Sequence, residues 1–224
     1  MKPSIPILCL VFACFDAGPS YAAGPYVVDD GDIVEPGQIQ NEFWYTHSDQ
    51  NGNTGIADAA YQIFPNLELT LQVARDEQPT GNTTSARPQL KYVWYDGAEK
   101  NGITSSIAAG TGYAFAQPQS QGAYLYIPTT FKLSETFTVN ADIGWQYTLP
   151  QDSHAMTWGI GGEYTVLKPL VINASIFGRT DNHQGYQFGP HFDVSENLRI
   201  DLVYGHNATG NSENSGTIAA ILNY

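Results

Sequence analysis

Cysteine, positive charge and long apolar runs are all scarce in this 224-residue chain, and each shortage closes off a class of protein. Both cysteines, Cys9 and Cys14, fall within the first 22 residues, so the remainder has no disulfide framework and no thiol ligand for a metal. Lys and Arg number 9 against 22 Asp and Glu. The resulting net charge of −13 removes the basic face that a nucleic-acid binder needs to neutralise phosphates. Beyond the N-terminal stretch, no run stays apolar for the roughly 20 residues that a membrane-spanning helix requires. Gly (22), Tyr (14) and Phe (10) are plentiful instead, a mixture suited to short strands, tight turns and amphipathic ring surfaces.

Residues 1–22 read as a secretory signal: Lys2 supplies the positive start, Ile5 to Phe15 the apolar core, and Ser20-Tyr21-Ala22 the small residues before a cleavage site after Ala22. Export across the inner membrane follows from that reading. A lipid anchor at Cys14 fits less well, because the stretch before it is short and Phe12 is bulky. Residues 23–37 form an extended acidic arm with Asp29, Asp30, Asp32 and Glu35. Its carboxylates lack EF-hand spacing, so a solvated arm is expected rather than a calcium site.

From residue 38 the pattern repeats with a period of two. In residues 67–75, Leu67, Leu69, Leu71 and Val73 share one face while Glu68, Thr70 and Gln72 share the other. In residues 137–147, Phe137, Val139, Ala141, Ile143, Trp145 and Tyr147 alternate with Thr138, Asn140, Asp142, Gly144 and Gln146. Twelve such segments can be counted, at 38–47, 56–64, 67–75, 89–95, 103–115, 123–131, 137–147, 155–166, 170–178, 185–194, 198–206 and 215–224. Short turns such as Pro65-Asn66 mostly alternate with long polar loops such as DEQPTGNTTSA. An even strand count with two unlike rims predicts an all-β fold, a transmembrane antiparallel up-and-down β-barrel over residues 38–224. A β-sandwich does not require that asymmetry. Aromatic side chains collect near strand ends, with Trp145 and Trp158 toward one rim and Trp94 and Tyr164 toward the other. Pro190, inside a strand, lacks a ladder donor and marks a bulge.

The face opposite the apolar one carries Glu42, Glu68, Lys91, Asp142, Glu163, Arg179, His191, Asp193, Arg199 and Asp201 among Gly, Ala, Ser and Thr. A Lys or Arg facing lipid at the bilayer midplane costs about 2–4 kcal/mol, so this set is assigned to the barrel lumen. Two readings remain open. In one, an acid-rich aqueous lumen passes small-molecule solutes and disfavours anions; in the other, Lys91, Arg179 and Arg199 neutralise carboxylates in a filled interior. Twelve strands leave a narrow pore at best, into which the N-terminal arm could fold.

Two stretches resemble known families. The last ten residues, SGTIAAILNY, place Ile218, Ala220, Leu222 and Tyr224 on one face and end on an aromatic ring. They resemble the C-terminal targeting strand of bacterial outer-membrane barrels, in which Phe is the commoner last residue. That likeness implies the insertion machinery and membrane lipid as partners. Gly24-Pro25-Tyr26-Val27-Val28-Asp29-Asp30, then Glu35-Pro36-Gly37 and Glu42, is similar to the opening of a family of small Gram-negative outer-membrane barrels labelled as transporters or as belonging to a MetA pathway of phenol degradation. The likeness continues through residues 64–71 and more loosely to the end of the chain. It implies an outer-membrane barrel with possible aromatic cargo and carries no catalytic residue.

An enzyme is the remaining class to weigh. Tyr45-Thr46-His47-Ser48 superficially resembles an outer-membrane phospholipase motif, but adjacent residues in a strand point to opposite sides, and a nucleophile must reach its base within about 3 Å. His154, His183 and His206 sit at loop ends without metal-ligand spacing. The expectation is a channel or transporter with no enzymatic activity, no cofactor and no metal. A non-conducting structural or adhesive barrel and a lipid-modifying enzyme are its rivals.

Overall fold

The computed structural model describes residues 24–78, 81–115, 119–149, 151–208 and 212–224. The stretch read as a secretory signal lies outside the described residues. Twelve strands follow in order: β1 (Ile39–Ser48), β2 (Gly52–Phe64), β3 (Leu67–Gln78), β4 (Gly81–Gly97), β5 (Ile103–Ala114), β6 (Gln119–Lys132), β7 (Phe137–Thr148), β8 (Ser153–Leu167), β9 (Leu170–Arg179), β10 (Gln184–Ser195), β11 (Leu198–Asn207) and β12 (Glu213–Asn223). A single helical turn, α1 (Ala98–Asn101), joins β4 to β5. Each strand pairs antiparallel with its sequence neighbours, and β1 also pairs with β12, which closes the barrel. At the seam, Ile39 and Tyr224 exchange backbone hydrogen bonds of 3.1 Å in both directions.

The period of two becomes an inside and an outside. Leu71, Ile143, Ile160, Ile176, Leu202 and Ile218 stand exposed on the outer wall. Their neighbours Gln72, Ser175, Asp201 and Thr217 are buried within. Trp94, Phe137, Tyr164 and Tyr224 are exposed near one rim, and Tyr45, Trp145, Trp158 and Tyr204 toward the other, while Phe43, read with that second group, lies at mid-strand. An apolar band between aromatic girdles is the wall that a hydrocarbon slab selects.

Two expectations need correction. The segments read as long polar loops are largely paired strand: β4 begins at Gly81, not at 89, and its ladder with β3 runs to Gln78↔Gly81. Likewise β1 and β2 pair as far as Ser48↔Gly52. Polar side chains mark where water begins, and the hydrogen-bond ladder runs on past that level. Nor is Pro190 a bulge. Its pairing with β9 is unbroken, and toward β11 the ladder lapses between Phe188↔Tyr204 and His191↔Asp201 without a change of register. A gap in one ladder accommodates the missing donor.

The outer wall gives a depth-resolved test. Ile160 lies midway along β8 and Val166 near its turn end, both exposed outward. In lipid vesicles, Ile160→Arg is expected to lower unfolding free energy by about 2–4 kcal/mol and Val166→Arg by about 0–1 kcal/mol, measured by denaturant titration.

Candidate functional site

The arm that precedes β1 lies inside the barrel. Gly24 sits so that a Cβ there would be 3.4 Å from Glu42 Oε2 and 3.7 Å from an Arg199 terminal nitrogen. The Tyr26 hydroxyl donates to the Gly189 carbonyl at 3.2 Å, and the Val27 amide donates to Gln187 Oε1 at 2.8 Å. Val28 rests on Gly159, where a Cβ would come within 2.6 Å of its side chain. The chain then turns back: the Gly31 amide donates to Thr130 Oγ1 at 2.8 Å, Ser106 donates to the Gly31 carbonyl at 2.5 Å, and the Val34 amide donates to Glu68 Oε2 at 2.8 Å. Glu42, Arg199 and Glu68 are near the turn rim, whereas Gly159 and Gln187 lie well along their strands. The arm is thus an arch that rises into the lumen and returns. Gly31 is the position that demands glycine, because a Cβ would stand 2.3 Å from the Thr104 carbonyl oxygen.

A buried ion pair holds the arch. Lys91 Nζ lies 3.1 Å from Asp29 Oδ2 and 3.4 Å from Asp30 Oδ1, and the Lys91 and Asp29 side chains are 2% and 1% exposed. The Tyr126 hydroxyl donates to Asp29 Oδ2 at 2.8 Å, and the Asp29 amide donates to Asp142 Oδ2 at 3.2 Å. The expectation of a solvated acidic arm is overturned at Asp29, while the Asp30 and Asp32 side chains stay nearly half exposed at 46% and 44%. The carboxylates that look like a solvated run in sequence meet a lysine projecting inward from β4.

The ten residues assigned to the lumen are distributed unevenly. Glu42, Glu68, Lys91, His191 and Asp201 are buried. Asp142 reaches the arm, and Glu163 accepts from Asn140 at 2.8 Å. His191 Nδ1 lies 3.3 Å from Asn173 Nδ2. Arg199 Nε is 3.2 Å from Asp201 Oδ1, close enough for an ion pair but not aligned as a hydrogen bond. Two residues stand apart: Arg179 pairs with Asp181 beyond the far end of β9, and Asp193 is exposed near the turn rim. The inward face is also less uniformly polar than the alternation suggests. Trp44, Ala219 and Ile221 form a buried apolar cluster, with Ile56 against it. Trp44 shares its parity with Glu42, and that was the available signal. Asp58 and Arg87, absent from the sequence-based set, were legible in the same way, and Gln72 lies inward as its alternation with Leu71 and Val73 predicts.

Between the arch and strands β1 to β4 a cavity of about 160 Å³ remains. Asp30, Asp32, Glu42, Asp58 and Glu68 line it, against the two cations Arg87 and Lys91. Gln40, Gln72, Gln89, Thr70 and Tyr124 complete its polar wall, and Ile33, Val34 and Ala60 its apolar part. A cavity needs roughly 10–15 Å³ to hold one water, so this one has room for a small solute.

At the opposite rim the histidines act separately. His47 is exposed and its Nδ1 meets Asn53 Oδ1 at 2.8 Å, whereas Ser48 is turned inward and donates to Glu213. The two side chains therefore occupy opposite faces. His154 stacks on Tyr147, His183 Nδ1 lies 3.0 Å from Asp181 Oδ1, and His206 Nδ1 lies 2.9 Å from Asn214 Oδ1. Among the described residues no group of three His, Cys, Asp or Glu is placed to hold a metal. Asn214 donates from its side chain and its backbone to Asp49, which holds that carboxyl below its usual range and ties the β1–β2 connection to β12.

Several solved structures with a similar fold are outer-membrane porins or channels. A KdgM porin in complex with disordered oligogalacturonate superposes with a TM-score of 0.66 at 10% identity, covering 82% of this chain and 98% of its own. The NanC porin gives 0.60 at 8% identity, covering 82% and 98%. An outer membrane channel from Pseudomonas putida F1 gives 0.61 at 12% identity, covering 88% and 100%. No curated protein sequence matches the chain. A family-wide sequence profile matches residues 10–224, and on that match the chain belongs to the family described as Uncharacterised conserved protein UCP029691.

Proposed function

We propose that this protein is a narrow outer-membrane channel that admits small polar solutes, prefers cations and is constricted by its own N-terminal arm. Residues 1–22 act as the export signal, the strand ending at Tyr224 addresses the chain to the insertion machinery, and membrane lipid surrounds the apolar wall. The observation that carries the reading is the acid-rich cavity left beside the arch: five carboxylates face two cations across about 160 Å³. A wall with that surplus lowers the energy of a cation in the lumen and raises that of an anion. Glu42, Glu68 and Lys91 line the passage itself. Asp142, Glu163, His191, Arg199 and Asp201 form the wall that the arch covers, with Asp193 and Arg179 nearer its two mouths.

The likeness to barrels labelled for phenol degradation suggests aromatic cargo, but charged and carboxamide groups line this cavity, and they favour polar cargo. The channel neighbours support transport as a class and leave the solute to the lumen's own chemistry. A second reading, a closed structural barrel, draws support from the buried Lys91–Asp29 pair, which occupies part of the lumen. An adhesive role has less to work with, since several connections at the outer rim are short: residues 49–51 join β1 to β2.

Reconstituted in planar bilayers, the mature chain is expected to give steady single-channel steps with a reversal potential that favours potassium over chloride. A silent, correctly inserted barrel would support the closed reading instead. Deleting residues 24–37 is expected to raise unit conductance. Lys91→Met, which leaves Asp29 buried without its cation, is expected to weaken arm docking by about 3–5 kcal/mol. Its readouts are flickering conductance and faster proteolysis of the arm.

A further inference from the structure

We infer that the cavity beside the arch is a binding site for a small organic cation, a primary amine or diamine; the inference rests on the channel reading and names the solute class. Strand register brings the site together. Glu42 on β1 lies directly opposite Asp58 on β2, and Asp58 lies opposite Gln72 on β3, all facing inward. Two buried carboxyls directly opposed across a ladder can both hold a negative charge only with a cation beside them. Among the described residues neither Glu42 nor Asp58 makes an ion pair: Lys91 is engaged by Asp29 and Asp30, Arg199 by Asp201, and Arg87, opposite Gln72 on the same cavity, reaches neither carboxyl.

A second observation states which partner is missing. Glu42 Oε2 and Gln72 Oε1 are buried without a hydrogen-bond partner among the described residues, and their side chains border the cavity. Both residues are more than nine-tenths buried, at 2% and 7% exposure. Gln72 Oε1 is an acceptor in every state, and Glu42 Oε2 is one when its carboxyl is ionised. A buried acceptor left unpaired costs about 1–3 kcal/mol, so the fitting ligand brings donors. An ammonium carries three N–H donors and a positive charge, which satisfies Gln72 Oε1 and also relieves the Glu42 and Asp58 repulsion. A neutral alcohol would supply a donor without the charge, and a carboxylate would supply neither.

Size and wall texture narrow the class. An apolar cavity of ~150 Å³ takes a molecule the size of benzene, so the 160 Å³ here suits about six non-hydrogen atoms. Ile33, Val34 and Ala60 offer an apolar surface for a short alkyl stem, and Asp32, 3.9 Å from Lys132 Nζ, borders the same space, where a second ammonium would share it.

The test uses the whole mature chain, arm included, in detergent micelles, titrated calorimetrically with 1,4-diaminobutane. Its neutral analogue 1,4-butanediol and the dianion succinate serve as comparisons. The diamine is expected to bind one per barrel, and neither comparison compound to bind measurably. The double variant Glu42→Gln with Asp58→Asn should weaken the diamine at least about tenfold, as loss of a charge-assisted hydrogen bond does. Gln72→Met, which keeps every charge, should weaken it by a smaller factor. Heat-modifiable electrophoretic migration identifies variants that have folded. The inference is overturned if the folded native chain does not bind the diamine, if the diol binds as well, or if folded variants bind like the native chain. The same preparations are measured in planar bilayers. A conducting barrel that ignores the diamine refutes the site and spares the channel. A silent barrel whose diamine binding depends on Glu42 and Asp58 refutes the channel and spares the site.

Discussion

Hydrocarbon offers no hydrogen bonds, so each amide and carbonyl at membrane depth must find its partner within the protein. In this chain the obligation is met by pairing every strand with two neighbours and then joining the last strand to the first, where Ile39 and Tyr224 bond in both directions. Everything else depends on that closure. It turns a period of two along each strand into a wall with one greasy side and one sheltered side. It also brings residues far apart in sequence into direct opposition, as with Glu42 and Ile221 across the seam.

A sheltered side wide enough for more than side chains poses its own problem. Small barrels of about eight strands are filled by their own side chains, and those of 16–18 hold water. Twelve strands fall between, and the arch formed by the arm takes up the difference. Its backbone donors and carbonyls are met by Gln187, Thr130, Ser106 and Glu68, groups that would otherwise need water. Lys91 is neutralised by carboxylates that the arm delivers, and Asp29 becomes tolerable at 1% exposure for the same reason. Among the carboxylates around the remaining space, Glu42 and Asp58 gain no ion pair among the described residues, and they give it its acidic character.

Fold likeness at about a tenth sequence identity is what such a wall permits. Any apolar residue can face lipid and any small or polar one can face inward, so many sequences satisfy the same cylinder. The interior is where proteins of this shape differ. The solute that a neighbouring porin holds therefore does not carry over to this chain.

Strand number, the assignment of faces and the two aromatic girdles were legible in the sequence, because alternation is a local property that each strand carries by itself. Asp58 and Trp44 were legible by parity with their neighbours, though their partners were not. Loop lengths were overestimated where polar residues such as those of 76–86 continue the ladder, since side-chain polarity reports the solvent and not the pairing. What only the tertiary structure decided is the interior: that the acidic arm folds back onto Lys91, that Glu42 faces Asp58, and that a cavity survives between arch and wall. Those facts follow from register around a closed ring and from contacts between residues far apart in sequence, such as Tyr26 and Gly189 at 163 positions, which no local pattern encodes.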